Sequence, residues 1–187
     1  MTCLNRKDLG LLALRTAVGG VLIAHGTQKL FGWFGGGGLE GTAQAMEHMG
    51  FHPGRQSALA AGLGEAGGGA LLVVGLATPA AAAIVAGTMA GAIAVHTPAG
   101  FFATSGGYEY PALLGATGVA LGVAGAGRYS MDHATGHVFD RPWMGLLSFT
   151  ASAAAAYGVV VRRRQVVRLR EERAAMEAER QEGVGLS

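Results

Sequence analysis

Five apolar runs, each close to the thickness of a bilayer, constrain this chain more than any other feature. Crossing the hydrocarbon core takes about 20 residues as a helix, within a range of about 17–25. The runs are Leu9–Lys29, Ser57–Ala77, Pro79–Thr97, Ala112–Gly127 and Trp143–Val161. Because a helix satisfies its backbone hydrogen bonds internally, we expect helices rather than strands. The sequence therefore predicts an all-α transmembrane four-helix bundle followed by a fifth, C-terminal transmembrane helix.

Glycine is the second sign of a membrane bundle. The chain has 33 glycines and only 14% charged residues, whereas soluble domains contain about 7% glycine and about 25% charged residues. Small residues inside apolar runs let membrane helices approach at backbone level. Gly87 and Gly91 form a GxxxG pair, and four further glycines share one helix face. These four are Gly115, Gly118, Gly122 and Gly125.

Several classes of site are excluded or disfavoured by composition. The single cysteine, Cys3, rules out an intramolecular disulfide, a CxxC dithiol and a cysteine-ligated metal centre within one chain. The arginines flank apolar runs instead of lining one face, so we expect no nucleic-acid partner. We also predict no metal site.

The chain divides into three predicted segments. Residues 1–133 form the four-helix membrane domain, 134–161 a connecting loop and the fifth helix, and 162–187 a polar charged tail. The fifth run begins at Trp143 and is followed by an arginine cluster, 162–164. Trp at one end and Arg at the other are typical of anchoring at a membrane interface. The alternative is that this run lies along the interface without crossing. The tail lacks sustained heptads, so we expect a solvated helix. The distribution of positive charge leaves the orientation open.

Parity places two connections, 30–56 and 98–110, on the same side of the membrane. Polar side chains collect where the runs meet that side: His25, Lys29, His96, Tyr108 and Glu109. A neutral imidazole can donate and accept within one site, which makes His25 the most informative of them. We therefore expect a polar pocket at this end of the bundle.

Two charged residues lie within the runs themselves. Glu65 is eight residues into the second run, about 12 Å deep at about 1.5 Å per residue, and Arg15 lies in the first. An ionisable residue inside a span costs roughly 2.5–3.5 kcal/mol, so it normally has a partner. We expect Arg15 to pair with Glu65, either as a structural lock between helices or as part of a site. The alternative is that the long Arg15 side chain snorkels to the opposite interface.

The segment after the first run interleaves aromatics with glycines, in the order Phe-Gly-Trp-Phe-Gly-Gly-Gly-Gly over residues 31–38. Trp33 and Phe34 suit an interfacial, re-entrant or lid segment. A phosphate-binding loop is disfavoured, because no GxxxxGK[ST] pattern is present.

These motifs resemble the DoxX family of small bacterial membrane proteins over about residues 8–133. The resemblance rests on Arg15, the run from His25 to Gly38, Gly64-Glu65 and His96. It also rests on Gly106-Gly107-Tyr108-Glu109-Tyr110-Pro111 and on Gly127-Arg128-Tyr129-Ser130-Met131-Asp132. It implies a four-helix bundle in the bacterial plasma membrane, related to the small subunits of thiosulfate:quinone oxidoreductase.

Our leading hypothesis is a redox-associated subunit that handles quinone at the polar pocket. His25, Glu65, Lys29 and Glu109 would supply hydrogen bonds and protons as catalytic groups. His96, Tyr108 and Arg15 would bind the quinone, while Trp33 and Phe34 gate its isoprenoid tail. Haem b between His25 and His96 is disfavoured, because their expected depths differ by several ångströms.

Two other functions fit the sequence. One is a non-catalytic scaffold that recruits soluble redox enzymes through the charged tail, and the other is a small-molecule transporter. In the redox hypothesis the sequence has no Rossmann fingerprint and no CxxCH haem motif, so electrons come from a soluble partner protein or from a reduced small molecule. The expected partners are therefore the lipid bilayer, a soluble redox protein and, in a homo-oligomer, further copies of the chain.

Overall fold

A computed structural model describes residues 5–185, which form seven α-helices and no strand. This agrees with the all-α fold class that the sequence predicts. The helices are α1 (Arg6–Phe31), α2 (Gly38–His48), α3 (Gly54–Val74), α4 (Thr78–His96), α5 (Glu109–Ala124), α6 (Met131–Ala134) and α7 (Pro142–Gly185). Cys3 and the last two residues of the predicted tail lie outside the described residues.

Four of these helices are long and apolar enough to cross a membrane: α1, α3, α4 and α7. At 16 residues, α5 rises only about 24 Å, less than the roughly 30 Å of a hydrocarbon core. It nevertheless packs along α4, and Leu113 and Val123 on its outer face are 65% and 81% exposed. A large apolar surface of this kind suits contact with lipid.

The most extensive contact between two helices joins α1 to α3. A Cβ atom on Gly19 would lie 2.5 Å from the carbonyl oxygen of Gly69, and one on Gly69 would lie 2.6 Å from that of Gly19. Gly26 abuts Gly62 and Ala66 in the same way. Any side chain at these glycines would separate the two helices, so the α1–α3 contact depends on them.

The predicted glycine face of α5 packs on α4. Gly115 lies against Met89, and Gly118 against Val85. Gly122 meets both Ala82 and Phe149, so this face also reaches α7. The glycine pattern thus predicted a real helix contact.

Helix α7 is one continuous rod of 44 residues, about 66 Å long at 1.5 Å per residue. Its apolar half packs on α4, where the Ser152 hydroxyl donates to the Ala83 carbonyl over 2.5 Å. Past the arginine cluster the helix continues, with every residue from Glu171 to Glu182 exposed. The predicted tail helix is therefore an extension of the fifth span.

The bundle has two distinct ends. At the α2 end, the Arg163 side chain donates to the carbonyls of Met49 and Ala94, which joins the connection 32–53 to the end of α4. At the α6 end, Asp132 accepts from the backbone at the start of α4. The connections 30–56 and 98–110, which parity assigned to one side of the membrane, therefore both lie at the α2 end. Helix α7 begins at the α6 end and runs to the α2 end.

Candidate functional site

A cavity of about 580 Å³ opens between α3 and α7 at the α2 end. Both helices pack on α4 and diverge from each other, which leaves the space between them. Most of its wall is small and apolar, contributed by Ala61, Ile84, Ala92, Ala156 and Val159. Binding sites for small molecules occupy about 300–1,000 Å³ and are mostly apolar with a few polar groups. The size and lining of this cavity fit that description.

An ion pair forms the polar part of the cavity wall. The Lys29 ammonium lies 2.6 Å from the Glu65 carboxylate, and both residues line the cavity. Only 7% of the Glu65 side chain is exposed, compared with 26% for Lys29. A desolvated carboxylate is tolerated when a cation satisfies it. Lys29 is therefore the ion-pair partner of the buried Glu65 in a wall that is mostly apolar but also includes other polar side chains.

The expected pairing of Arg15 with Glu65 is wrong. Arg15 is fully buried, and its guanidinium donates to three backbone carbonyls near the α6 end. These belong to Leu72, Val73 and Tyr129, at 3.2, 3.4 and 2.7 Å. Arg15 does not line the cavity. The side chain reaches towards the opposite end of the bundle because carbonyls at the end of α3, together with the chain after α5, offer it acceptors there.

Asp132 completes this second polar cluster. The carboxylate is fully buried and accepts from the backbone N–H groups of Ala77 and Thr78, at 2.8 and 2.9 Å. A carboxylate at the first turn of a helix satisfies N–H groups that lack partners within the helix. Asp132 thus caps α4 while its charge faces the Arg15 guanidinium. The cluster ties α1, α3, α4 and the α6 region together.

Of the two predicted histidines, only His96 lines the cavity. Its Nδ1 lies 2.7 Å from the Gly106 carbonyl oxygen. A carbonyl can only accept, so Nδ1 carries the proton and Nε2 is the acceptor in the neutral ring. His25 instead lies 3.3 Å from the Tyr110 hydroxyl through Nε2. Neither His25 nor Tyr110 lines the cavity.

The other predicted residues shape loops at the α2 end without lining the cavity. Trp33 and Phe34 are 57% and 74% exposed and pack edge to face. Tyr108 packs against Phe101, and the Glu109 carboxylate accepts from the Ala103 N–H over 2.9 Å. Exposed aromatics at the end of a membrane helix are typical interface anchors. Neither Trp33 nor Phe34 lines the cavity, and a gate at these residues stays a prediction.

Sequence reasoning missed several cavity residues as functional candidates, including His52, Arg162 and Arg163, and also Tyr110, which contacts His25. His52 and Arg162 line the cavity from the α2–α3 connection and from α7. No spacing rule places these two segments beside α3 and α4. Tyr110 could have been found, because it belongs to the same Gly-Gly-Tyr-Glu-Tyr-Pro motif as Tyr108 and Glu109.

A carboxylate outside the spans organises the connection beside the cavity. Glu47 interacts with the His52 ring, with the Gly54 N–H and with the Arg170 guanidinium. The hydrogen bond from His52 is the main reason why the pKa of Glu47 lies below its ordinary value, and the Gly54 N–H and Arg170 act in the same direction. Glu47 therefore joins the α2–α3 connection to the far half of α7.

Within residues 5–185, no group of three or more His, Asp or Glu side chains converges as a metal-binding cluster. The described part of the chain therefore offers no metal centre built from three protein ligands.

Comparison with known proteins identifies one family. The DoxX family model matches residues 10–98, which contain α1 to α4 and all the cavity residues except those of α7. The match is shorter than the resemblance over 8–133, whose last two motifs lie beyond it. Neither the curated proteins nor the solved structures include a significant match. The chain is therefore a membrane protein that carries a DoxX domain.

Proposed function

We propose that this protein is a redox-associated subunit of the bacterial plasma membrane that binds quinone in the cavity between α3 and α7. The observation that carries the proposal is the combination of an apolar cavity beside diverging helices with the Lys29–Glu65 ion pair in its wall. A quinone likewise has a polar part and an apolar part, since it joins a polar ring to an apolar tail. The apolar residues suit the tail, and the polar wall suits the ring.

The polar residues of the wall differ in what they offer to a quinone ring. Lys29 has ammonium protons that can be donated to a carbonyl oxygen. Glu65 can hold or release a proton, and His96 offers Nε2 as an acceptor in its neutral form. A bound quinone accepts electrons together with protons. Since this chain has no dithiol or haem motif, the electrons come from a soluble partner protein or a reduced small molecule.

Binding of a water-soluble quinone analogue tests the proposal. We expect Glu65→Gln and Lys29→Met each to weaken binding by roughly 5- to 150-fold, because an unpaired buried polar group costs about 1–3 kcal/mol. His96 is exposed, so His96→Ala should weaken binding towards the lower end of that range. Glu40→Gln is the matched control, because Glu40 is exposed and pairs only with Arg55 over 3.5 Å. Titration into detergent-solubilised protein, followed by fluorescence quenching, gives the dissociation constants. Equal affinity in wild type and all three cavity variants would contradict the proposal.

His25 provides a second, finer test. His25 contacts Tyr110, and neither residue lines the cavity, so we expect His25→Ala to weaken quinone binding less than His96→Ala does. We also expect the double variant to be non-additive if the two histidines act through one hydrogen-bond network.

A scaffold that recruits soluble redox enzymes is the second candidate. It is favoured by the exposed, charged extension of α7 from Glu171 to Glu182. A chain truncated after Arg170 separates the two functions. The quinone-binding subunit keeps its affinity for the analogue when truncated, whereas the scaffold loses a soluble partner that co-purifies from native membranes.

A further inference from the structure

Two histidines converge at the α6 end of the bundle, far from the cavity. The Nδ1 atom of His133 lies 3.4 Å from the Nε2 atom of His137, and their ring centroids are 5.5 Å apart with the rings tilted by 70°. Both residues are exposed. Neither contributes to the cavity or to the Arg15–Asp132 cluster.

A carboxylate fixes the tautomer of one of these rings. The Nδ1 atom of His137 lies 3.1 Å from the Asp140 carboxylate, which can only accept when ionised. Nδ1 therefore carries the proton, and in the neutral ring the lone pair of Nε2 faces His133. Histidines that bind metals commonly donate their other ring N–H to a carboxylate in this way.

The separation of the two nitrogens suits a shared ion. Two imidazole nitrogens bound tetrahedrally at 2.0–2.1 Å from one metal lie about 3.3–3.4 Å apart. The observed 3.4 Å matches that spacing and lies beyond the usual range for a hydrogen bond between nitrogen and an acceptor. His137 also adopts a left-handed backbone conformation with φ 59°, which few non-glycine residues do.

We propose that His133 and His137 bind a first-row transition-metal ion such as Zn²⁺ or Cu²⁺, with Asp140 as a positioning residue and water in the remaining positions. Imidazole nitrogen suits zinc, copper and nickel, whereas magnesium and calcium prefer oxygen ligands. Two protein ligands leave the ion accessible and exchangeable.

The site has a rigid base. The neighbouring Asp132 is buried and caps α4, and the Ser130 side chain accepts from the His133 N–H over 3.2 Å. On its other side, Asp140 precedes the first residue of α7 by two positions. An ion held by His133 and His137 therefore ties the connection after α5 to the segment that leads into α7.

The test uses the full chain, purified without a polyhistidine tag and washed with chelator. Zn²⁺ affinity is measured by competition with a chromogenic chelator. We expect His133→Ala and His137→Ala to weaken it more than Asp140→Ala, for which about 10–100-fold is expected from loss of an outer-shell partner. His48→Ala, an exposed histidine on α2 at the other end of the bundle, should bind as wild type does.

Electron paramagnetic resonance of one equivalent of Cu²⁺ provides an independent readout. The wild type should show coupling to two imidazole nitrogens, and each single histidine variant coupling to one. Absence of stoichiometric Zn²⁺ and Cu²⁺ binding in the wild type would overturn the proposal, as would wild-type affinity in both histidine variants. Thermal unfolding of each metal-free variant verifies that it is folded. Quinone binding by the cavity is unaffected by either result.

Discussion

The two ends of this bundle both bury charge, but they use it differently. At the α6 end, the partners of Arg15 and Asp132 are mostly backbone groups at the end of α3, at the start of α4 and in the connection after α5. At the α2 end, Lys29 and Glu65 pair with each other through their side chains and face a cavity. Backbone partners cannot leave without local unfolding, whereas a side-chain pair can open and accept a ligand. The comparison indicates a structural role for the Arg15–Asp132 cluster and supports the binding role that we propose for the α2 end.

The largest effect expected concerns the orientation of the ends across the membrane. Because α7 runs from the α6 end to the α2 end, the segment beside Asn5 and the helix after Arg164 belong to opposite ends. We therefore predict that reporter fusions at the N-terminus and after Arg164 report opposite sides of the membrane. Activity of both fusions on one side would contradict the crossing by α7.

Replacement of Arg15 should have the next largest effect. Arg15→Met leaves buried carbonyls without a donor, at a cost of about 1–3 kcal/mol for each buried polar group left unsatisfied. We expect a large fall in thermal stability in detergent and poor assembly in the membrane. Arg55→Met is the control, because the Arg55 side chain is 65% exposed and should be nearly neutral. Wild-type stability of Arg15→Met would contradict a structural role for the α6 end.

The error over Arg15 shows what sequence patterns can determine here. Hydropathy predicted four runs that form helices long and apolar enough to cross a membrane, since lipid demands about 20 apolar residues per crossing. The remaining run, 112–127, forms the 16-residue α5, which is too short by that criterion. Glycine spacing indicated close helix packing, and three of the four glycines on the predicted face, Gly115, Gly118 and Gly122, do contact α4. Depth along a helix axis could be estimated from residue number, but not the direction in which a side chain points. The acceptors of Arg15 include the Tyr129 carbonyl, 114 residues away along the chain. Partners of that kind follow from tertiary packing.

The ends of α7 and the helix α2 show the same limit. A run of charge marks where lipid contact ends, so Arg162–Arg164 correctly located the interface. The helix itself continues to Gly185, since charged residues form helices as readily as most apolar ones. The predicted connection 30–56 contains α2, whose position beside α3 brings His52 to the cavity. Sequence motifs thus located the α2 end. The cavity itself depends on how α3 and α7 pack on α4 and diverge from each other.

The ion pair at the α2 end should contribute less to stability than Arg15 does. Lys29→Met leaves the Glu65 carboxylate buried without its cation, and we expect a loss of about 1–3 kcal/mol. Glu65→Gln keeps a hydrogen-bond acceptor for Lys29 and should cost less. Thermal unfolding of both single variants and the double variant gives the coupling energy, expected at about 0.5–3 kcal/mol for residues in contact. Strict additivity would mean that the pair does not form.

The smallest effect expected is a pH dependence from Glu47, which joins the α2–α3 connection to α7. Its pKa in the folded protein is lowered, first by the hydrogen bond from His52 and then by the Gly54 N–H and the charge of Arg170. A lowered carboxyl pKa contributes stability that is complete above the ordinary value of 4.5 and is lost as the pH falls through the lowered value. We therefore expect the stability difference between wild type and Glu47→Gln to be constant above about pH 5 and to shrink below pH 4.5. Thermal unfolding across pH 3–7 measures this difference, with Glu40→Gln as the exposed control. A difference that grows as the pH falls would show that the carboxylate is not stabilised by its neighbours.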